Sequence, residues 1–200
     1  MTTHSDVPAE VFFGGTFDPI HIGHLFVAEE ARAAVGAMSV LFVPAGRNPL
    51  KDDPSGASPE ARLHMTRLAI RGNGAFRVSS AEIERGGPSY TVDTVETLVA
   101  SGELRPRPGL IVGDDLIAQL PRWKDPQRLF AAVRLIVVTR HVTEVERLSE
   151  VVPTDTLVIR NPAIPVSSSD VRERLRDHRS VRYLVPDAVY EYIRFHSLYR

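Results

Sequence analysis

The chain has 200 residues, of which 43% are hydrophobic, with a formal net charge of -1 and no cysteine. This size allows one well-packed domain, and the lack of cysteine excludes disulfides, thiolate metal sites and a cysteine nucleophile. The near-neutral charge argues against electrostatic binding to nucleic acid or to a membrane. The polar segment Met1–Glu10 does not resemble a signal peptide, and no apolar run reaches membrane length. We therefore expect a cytoplasmic protein.

The first predicted element is a strand that leads through a glycine turn into a helix. The β-forming run Val11–Phe13 precedes Gly14 and Gly15, where backbone can approach a ligand closely. Turn residues follow at Thr16–Pro19, and an amphipathic helix is predicted from about Gly23. In an open α/β sheet, a ligand binds at such a strand end, beside a helix N-terminus that attracts phosphate.

Two histidines lie at this turn. Gly23 leaves room between His21 and His24, so both rings can point into one small space and donate hydrogen bonds to phosphate oxygens. A lone histidine near a helix start is usually just partly exposed. A histidine pair three residues apart could be half of a metal site, but no glutamate lies between these two as in H-E-x-x-H. The glycines do not match the dinucleotide-binding or P-loop fingerprints, which disfavours both kinds of site. The joint pattern indicates phosphate binding of another kind.

The rest of the chain alternates predicted strands with predicted helices. Strands are predicted at 39–43, 109–112, 135–138 and 157–159, with one or two short strands within 76–83. Helices are predicted at 58–70, from Ser89 or Thr91 through Val99, at 126–132, weakly at 143–151, after Ser168 or Ser169, and from Pro186. This alternation predicts a mostly parallel sheet with right-handed crossovers, whose strand ends gather at one edge.

Candidate binding residues follow several of these strands. Lys51 could reach a phosphate from the loop after the second strand, and Arg140 could do so after the fourth. A solvated cation is the more common role for a loop lysine, and Arg140 could simply be an exposed charge at the end of a strand. Gly113-Asp114-Asp115 follows the third strand, at a place where an acid commonly holds ribose hydroxyls, although Asp114 could simply cap a helix.

Two further features could bind a ligand. Ser167–Ser169 lie at a helix start with Arg172 one turn later, which is an arrangement suited to anions, although ordinary capping is the simpler explanation. Trp123 is the only tryptophan and lies in a polar segment. Its planar ring suits stacking on another ring.

The run Gly14-Gly15-Thr16-Phe17-Asp18-Pro19-Ile20-His21-Ile22-Gly23-His24 resembles the signature of the nucleotidylyltransferase superfamily. Its members have a Rossmann-like fold and transfer a nucleoside monophosphate from a triphosphate, releasing pyrophosphate. The resemblance implies an open, mostly parallel sheet with helices on both faces. It implies one domain at 10–200 after a flexible tail at 1–9, with a helical subregion at about 166–200.

Other motifs resemble bacterial nicotinate-nucleotide adenylyltransferases. Ser89–Thr94 is similar to a run in that family whose helix start meets the pyridine ring and its carboxylate, and Gly113, Asp115 and Trp123 also match. The run 166–172 is similar to the Ile-Ser-Ser-Thr-x-x-Arg motif that holds ATP phosphates. Lys51 matches the lysine of a Pro-Pro-His-Lys run, although the histidine is missing here.

The resemblance implies transfer of AMP from ATP to nicotinate mononucleotide in NAD biosynthesis. It implies catalytic roles for His21, His24, Lys51 and Arg172. The implied ATP contacts are Gly14, Gly15, Thr16, Phe17, His21, His24, Gly113, Asp115, Ser167, Ser168, Ser169 and Arg172. The implied nicotinate mononucleotide contacts are Asp18, Lys51, Ser89, Tyr90, Thr91, Trp123 and Arg140. Mg²⁺ would be held mainly by substrate phosphates and water, without a dedicated protein site.

Alternatives stay open at this stage. The acceptor could instead be nicotinamide mononucleotide or phosphopantetheine, or the chain could be a non-catalytic nucleotide-binding module. A histidine-based metal hydrolase lacks a third ligand. The sequence also leaves open whether the chain forms a homo-oligomer.

Overall fold

A computed structural model describes residues 7–49, 56–139, 152–160, 162 and 164–200. Strands and helices alternate through these ranges. The strands are β1 (Glu10–Gly15), β2 (Ser39–Pro44), β3 (Phe76–Val78), β4 (Gly109–Gly113), β5 (Arg134–Thr139) and β6 (Leu157–Arg160). The helices are α1 (Ile22–Val35), α2 (Pro59–Ala69), α3 (Ala81–Arg85), α4 (Thr91–Ala100), α5 (Asp114–Ile117), α6 (Pro126–Ala132), α7 (Ser168–Arg176) and α8 (Asp187–Phe195).

The six strands form one sheet in the order β3-β2-β1-β4-β5-β6. β4 pairs in parallel with β1 and with β5, so that Leu110 lies opposite Phe12 on one side and Leu135 on the other. β6 continues the parallel pairing on the far side of β5. Every residue of β5 is buried, as expected for a central strand of a parallel sheet. The structure confirms the predicted Rossmann-like α/β fold.

The described chain divides into two compact units. The first takes its residues from Met1–Phe13, Val27–Leu41 and Tyr90–Ala163. At the start of β4, a Cβ on Gly109 would lie 2.5 Å from Ile136 Cδ1 and 3.1 Å from Pro8 Cγ, so a larger residue would force the Ile136 side chain to move.

The second unit takes its residues from Gly14–Phe26, Phe42–Ser89 and Ile164–Arg200. Its helix α2 begins where Ser58 Oγ accepts the Ala61 N–H at 3.2 Å, with proline at the first helical position, as predicted. α2 contacts α8 through the stacked rings of His64 and Tyr192, whose centroids lie 4.7 Å apart.

Two predicted helix caps are wrong, and the prediction of one or two short strands within 76–83 holds for one strand. That strand is residues 76–78, after which the chain enters α3 at Ala81. Ser80 Oγ donates to Glu84 Oε1 at 2.5 Å, a contact across one helical turn that strand-like alternation does not reveal. Neither Ser89 nor Thr91 caps α4, whose N-cap is Tyr90 without a side-chain hydrogen bond. Helix α7 is capped by Ser167, whose Oγ accepts the Asp170 N–H, instead of by Ser168 or Ser169.

The prediction of a weak helix at 143–151 lies outside the described residues. The predicted domain bounds, 10–200 after a tail at 1–9, stay predictions. Within the described ranges, no helix is both long enough and apolar enough to cross a bilayer.

Candidate functional site

The loop between β1 and α1 carries the signature residues, and glycine shapes its start. Phe17 has a left-handed φ of 51°, and its buried ring folds back over Gly15. A Cβ at Gly15 would lie 2.9 Å from this ring, so a larger residue would displace it. Phe17 also meets His24 edge to face, with ring centroids 5.1 Å apart. The Phe17 ring therefore packs against both the backbone at Gly15 and the ring of His24.

The two histidines of the loop form a stacked pair. The ring centroids of His21 and His24 lie 3.7 Å apart, with an angle of 26° between the planes. The His21 backbone N–H donates to His24 Nδ1 at 3.2 Å. Because Nδ1 accepts this bond, a neutral His24 carries its proton on Nε2, which is then a hydrogen-bond donor.

His21 is held in its neutral form at neutral pH. Burial lowers its pKa to about 4, although the nearby Asp170 carboxylate raises it in part. Its Nδ1 is buried and has no hydrogen-bond partner among the described residues. A Cβ at Gly23 would lie 3.0 Å from this Nδ1, in line with the prediction that Gly23 leaves room for the rings. His21 thus offers a neutral imidazole, and not the charged ring that would bind phosphate most strongly.

The start of α7 is bonded directly to the signature loop. Ser168 Oγ donates to the Pro19 carbonyl at 3.0 Å, and Arg172 Nη1 donates to the Asp18 carbonyl at 2.8 Å. Ser167 caps the helix, whereas Ser169 is exposed. The structure therefore brings the predicted anion-binding run beside the histidine loop within the second unit.

Arg62 organises the same region, and sequence reasoning missed it. Its side chain is buried and donates to the carbonyls of Thr16 at 2.7 Å, Gly46 at 3.1 Å and Ala57 at 3.2 Å. Burial lowers the pKa of Arg62, and the Asp18 charge partly offsets this effect. The sequence does contain a signal for this burial. At helical spacing, Arg62 lies one turn before Thr66 on the buried face of α2.

The first unit holds a second cluster at the start of α4. Lys124 Nζ lies 4.7 Å from the centre of the Tyr90 ring and 2.7 Å from Asp93 Oδ2. Trp123 is half-buried, and its Nε1 has no hydrogen-bond partner among the described residues. Thr91 is the first residue of the helix. An aromatic ring and a cation thus lie beside a helix N-terminus without a side-chain cap.

Ser89 was predicted to contact the ligand beside this helix start, but its side chain bonds elsewhere. Its Oγ accepts the backbone N–H groups of Gly46 at 2.9 Å and Arg47 at 3.3 Å, and all three residues belong to the second unit.

The end of β4 carries the predicted ribose site. A Cβ at Gly113 would lie 2.5 Å from Asp115 Oδ1, so a larger residue here would displace this carboxylate. Asp114 is engaged within the protein, since Thr139 Oγ1 donates to its Oδ2 at 2.9 Å. The exposed Asp115 is therefore the better candidate for a ligand, as predicted from sequence.

Two predicted site residues, Lys51 and Arg140, lie outside the described residues, and their roles stay predictions. The described ranges contain no group of three or more histidine, aspartate or glutamate side chains placed to hold a metal ion.

Comparison with protein families gives the class of protein. Residues 12–174 match the family described as cytidylyltransferase-like, which is most of the chain. This range includes the histidine pair and Arg172. The sheet and the His-x-Gly-His loop thus belong to a nucleotidyltransferase of that class.

Curated relatives define the particular family. The "Probable nicotinate-nucleotide adenylyltransferase" of Roseiflexus sp. (strain RS-1) is 45% identical over 192 residues, covering 94% of this chain and 96% of the relative. A protein of the same name from Moorella thermoacetica is 41% identical over 194 residues, covering 94% of this chain and 89% of the relative. The chain belongs to the nicotinate-nucleotide adenylyltransferases within the cytidylyltransferase-like family.

A solved structure supports the fold independently. The nicotinic acid mononucleotide adenylyltransferase of Plasmodium falciparum complexed with NaAD has a TM-score of 0.78 at 19% identity, covering 95% of this chain and 96% of that one. The same protein complexed with APC has a TM-score of 0.77 at 18% identity, covering 96% and 97%. At this identity the likeness concerns the fold alone.

Proposed function

We propose that this chain transfers the AMP moiety of ATP to nicotinate mononucleotide, giving nicotinic acid adenine dinucleotide and pyrophosphate. The observation that carries the proposal is the stacked pair His21 and His24 on a loop bonded to Ser168 and Arg172. Relatives that match over most of their length and are named nicotinate-nucleotide adenylyltransferases support the assignment of the acceptor. The proposed location is the cytoplasm.

The proposed reaction is an in-line displacement at the α-phosphorus of ATP. A phosphate oxygen of nicotinate mononucleotide forms the new bond to this phosphorus. The bond to the bridging oxygen of the β-phosphate breaks, and pyrophosphate leaves with the electron pair. Because the attacking phosphate is already an anion at neutral pH, the reaction requires no general base. The protein then contributes positioning and stabilisation of charge.

The phosphates of ATP would meet the histidine loop. We assign His24 Nε2 as a donor to the α-phosphate, since Nδ1 of the same ring already accepts a bond from the backbone. The neutral His21 would contact the phosphate chain, and Lys51 with Arg172 would neutralise the leaving pyrophosphate. The remaining ATP contacts that we propose are the backbone of Gly14, Gly15, Thr16 and Phe17, with Gly113, Asp115, Ser167, Ser168 and Ser169.

The pyridine ring of the acceptor would lie against aromatic side chains near the start of α4. Tyr90, Thr91 and Trp123 are the proposed contacts, with the backbone N–H groups of the helix start receiving the carboxylate. Lys51 and Arg140 are proposed for the acceptor phosphate. Ser89 and Asp18 hydrogen-bond within the protein, which supports an indirect contribution from these two side chains.

We propose that Mg²⁺ accompanies ATP and is held mainly by phosphate oxygens and water. Such an ion neutralises phosphate charge in phosphoryl transfer. Asp18 is the acid of the signature loop, and its Oδ1 already accepts hydrogen bonds from Ala57 N and Tyr199 Oη. This arrangement suits a carboxylate that orients the loop better than one that ligates the ion directly.

Pyrophosphate release from ATP tests the proposal. Reactions would contain nicotinate mononucleotide, nicotinamide mononucleotide or phosphopantetheine, each with Mg²⁺ and again with EDTA. We expect Mg²⁺-dependent release that is strongest with nicotinate mononucleotide. Release with only another acceptor would overturn the substrate assignment, and nucleotide binding without release would favour a non-catalytic module. Full activity in EDTA would overturn the proposed role of Mg²⁺.

A further inference from the structure

Asp18 lies at the centre of a buried network that sequence reasoning did not foresee. Only 6% of the residue is exposed, and Tyr199 Oη donates to its Oδ1 at 2.6 Å. The same oxygen accepts the Ala57 N–H at 3.0 Å. All three residues belong to the second unit. A residue next to the end of the chain therefore contacts the signature loop, 181 positions earlier in sequence.

The chain turns sharply to bring Tyr199 to this place. Beyond α8, Ser197 has a φ of 52° and Tyr199 a φ of 64°, both in the left-handed region. The Leu198 N–H donates to the Ile193 carbonyl at 3.1 Å, which folds the terminus back onto its helix. Left-handed conformations cost free energy in residues other than glycine, so contacts must maintain them. The hydrogen bond from Tyr199 to Asp18 is such a contact.

The hydroxyl of Tyr199 is a stable donor in this position. Burial and the adjacent Asp18 carboxylate raise its pKa, although Arg172 and Arg62 act in the opposite direction. The group therefore keeps its proton throughout the neutral range and can donate to Asp18 continuously.

The network restrains the loop that bears the histidines. Arg62 bonds the carbonyl of Thr16, Arg172 bonds that of Asp18, and Ser168 bonds that of Pro19. The carboxylate of Asp18 is held by the Tyr199 hydroxyl together with the backbone N–H of Ala57. Loss of the hydroxyl would remove the shorter of these two hydrogen bonds and leave the carboxylate less well fixed relative to the loop backbone.

We propose that Tyr199 is a positioning residue for adenylyl transfer, which acts through Asp18 to hold the loop carrying His21 and His24. This inference rests on the proposed function, because the geometry that Tyr199 maintains is that of the phosphate-binding histidines. Loss of the hydroxyl leaves the substrate-binding groups present but less well ordered. Small misplacements of catalytic groups lower the rate of chemistry strongly.

The test is Tyr199→Phe, which removes one oxygen atom, measured beside Tyr192→Phe. Tyr192 lies on α8, where its ring stacks on that of His64 and meets that of His196 at a tilt, so its variant is a matched loss of a hydroxyl that makes no described bond to Asp18. At 25 °C, with folding verified by circular dichroism, we expect Tyr199→Phe to lower kcat about tenfold. KM for ATP should change less than about twofold, because the direct contacts remain. Tyr192→Phe should match the wild type.

A second measurement is independent of activity. Long-range ¹H–¹⁵N spectra report the tautomer and environment of each imidazole, and in the wild type we expect His24 protonated on Nε2. Tyr199→Phe should shift or broaden the His21 and His24 signals and leave those of His64 unchanged. A purely structural role would lower Tm without altering these signals or kcat.

Several outcomes would overturn the proposal. These are an unchanged kcat with unchanged histidine signals, a rise in KM alone, equal losses in the two variants, or failure of Tyr199→Phe to fold at 25 °C. A wild-type protein that releases no pyrophosphate would contradict the proposed function instead. The histidine spectra would then still decide whether Tyr199 orders the loop.

Discussion

At the residue scale, the histidine pair shows how burial divides two similar side chains. His21 is 6% exposed and neutral, whereas His24 is half-buried and accepts the His21 N–H through Nδ1. The backbone thus sets the tautomer of His24 before any substrate arrives. A donor oriented in advance costs little reorganisation when charge develops in the transition state.

Replacement of His24 by alanine tests this donor. We expect His24→Ala to lower kcat by about two or more powers of ten, the usual effect of removing one preorganised donor. Steady-state pyrophosphate release measures the change. His64→Ala is the control, because His64 is exposed on α2 and stacks on Tyr192. Near-normal turnover of His24→Ala would contradict the assigned role.

The buried His21 predicts a pH dependence of stability. Its pKa is about 4 in the folded state against 6.5 in the unfolded chain, so the unfolded state binds the proton more readily. The stabilising effect is complete above pH 6.5 and is lost as the pH falls toward 4. Between pH 7.5 and pH 5 we expect His21 to account for a loss of about 2 kcal/mol in the free energy of unfolding.

Urea unfolding at both pH values measures this loss. His21→Gln, which cannot titrate in this range, should lose about 2 kcal/mol less than the wild type over the same interval. Parallel pH profiles for wild type and His21→Gln would show that folding does not lower the pKa of His21.

At the element scale, helix α4 has an N-terminus without a side-chain cap, which suits an anion, and an acidic residue in its first turn. Asp93 lies in that turn and would repel a substrate carboxylate bound at the helix start. Lys124 Nζ lies 2.7 Å from Asp93, and Arg128 Nη2 lies 3.4 Å from it, so two cations offset this charge. Both pairs are partly exposed, and each is therefore weak by itself.

The substitution Lys124→Gln tests this balance. We expect KM for nicotinate mononucleotide to rise about threefold, because the Asp93 carboxylate is then less well compensated. KM for nicotinamide mononucleotide, in which a neutral amide replaces the carboxylate, should stay unchanged, as should the KM values of both substrates in Arg107→Gln. Arg107 forms an exposed ion pair with Asp155 elsewhere in the first unit. Equal changes for acid and amide would refute the electrostatic explanation.

At the scale of the whole molecule, binding of the product should stabilise the native state. At a concentration of about 100 times Kd, a ligand adds about 2.7 kcal/mol to the free energy of unfolding. For a chain of this length that corresponds to a rise in Tm of about 5–10 °C. We expect such a rise with nicotinic acid adenine dinucleotide.

Thermal unfolding followed by circular dichroism measures this effect. The effect of ATP is compared with that of CTP. CTP is chosen because the wider family is cytidylyltransferase-like, whereas the similar relatives are adenylyltransferases. We expect stabilisation by ATP with Mg²⁺ and much less by CTP. A larger effect of CTP would mean that the base specificity proposed here is wrong.

Prediction from sequence succeeded where the determining interactions are local. Apolar runs such as 135–138 and the alternation of strands with helices predicted the parallel sheet, since buried strands require continuous hydrophobic segments. It failed at the caps of α4 and α7 and at Ser89, where short-range patterns allow more than one structure. Ser89 bonds the backbone at Gly46 and Arg47, which are 43 and 42 positions away, so no local pattern could show its role.

The sequence by itself determined the fold class, the His-x-Gly-His loop and the family, because these depend on hydrophobic periodicity and on a contiguous motif. Only the tertiary structure decided the ionisation of His21, the tautomer of His24 and the network of Asp18, Arg62 and Tyr199. A pKa depends on burial and neighbouring charges, and a buried hydrogen bond depends on which distant residues meet. Neither property is encoded at one position of the chain, and both arise when the chain packs.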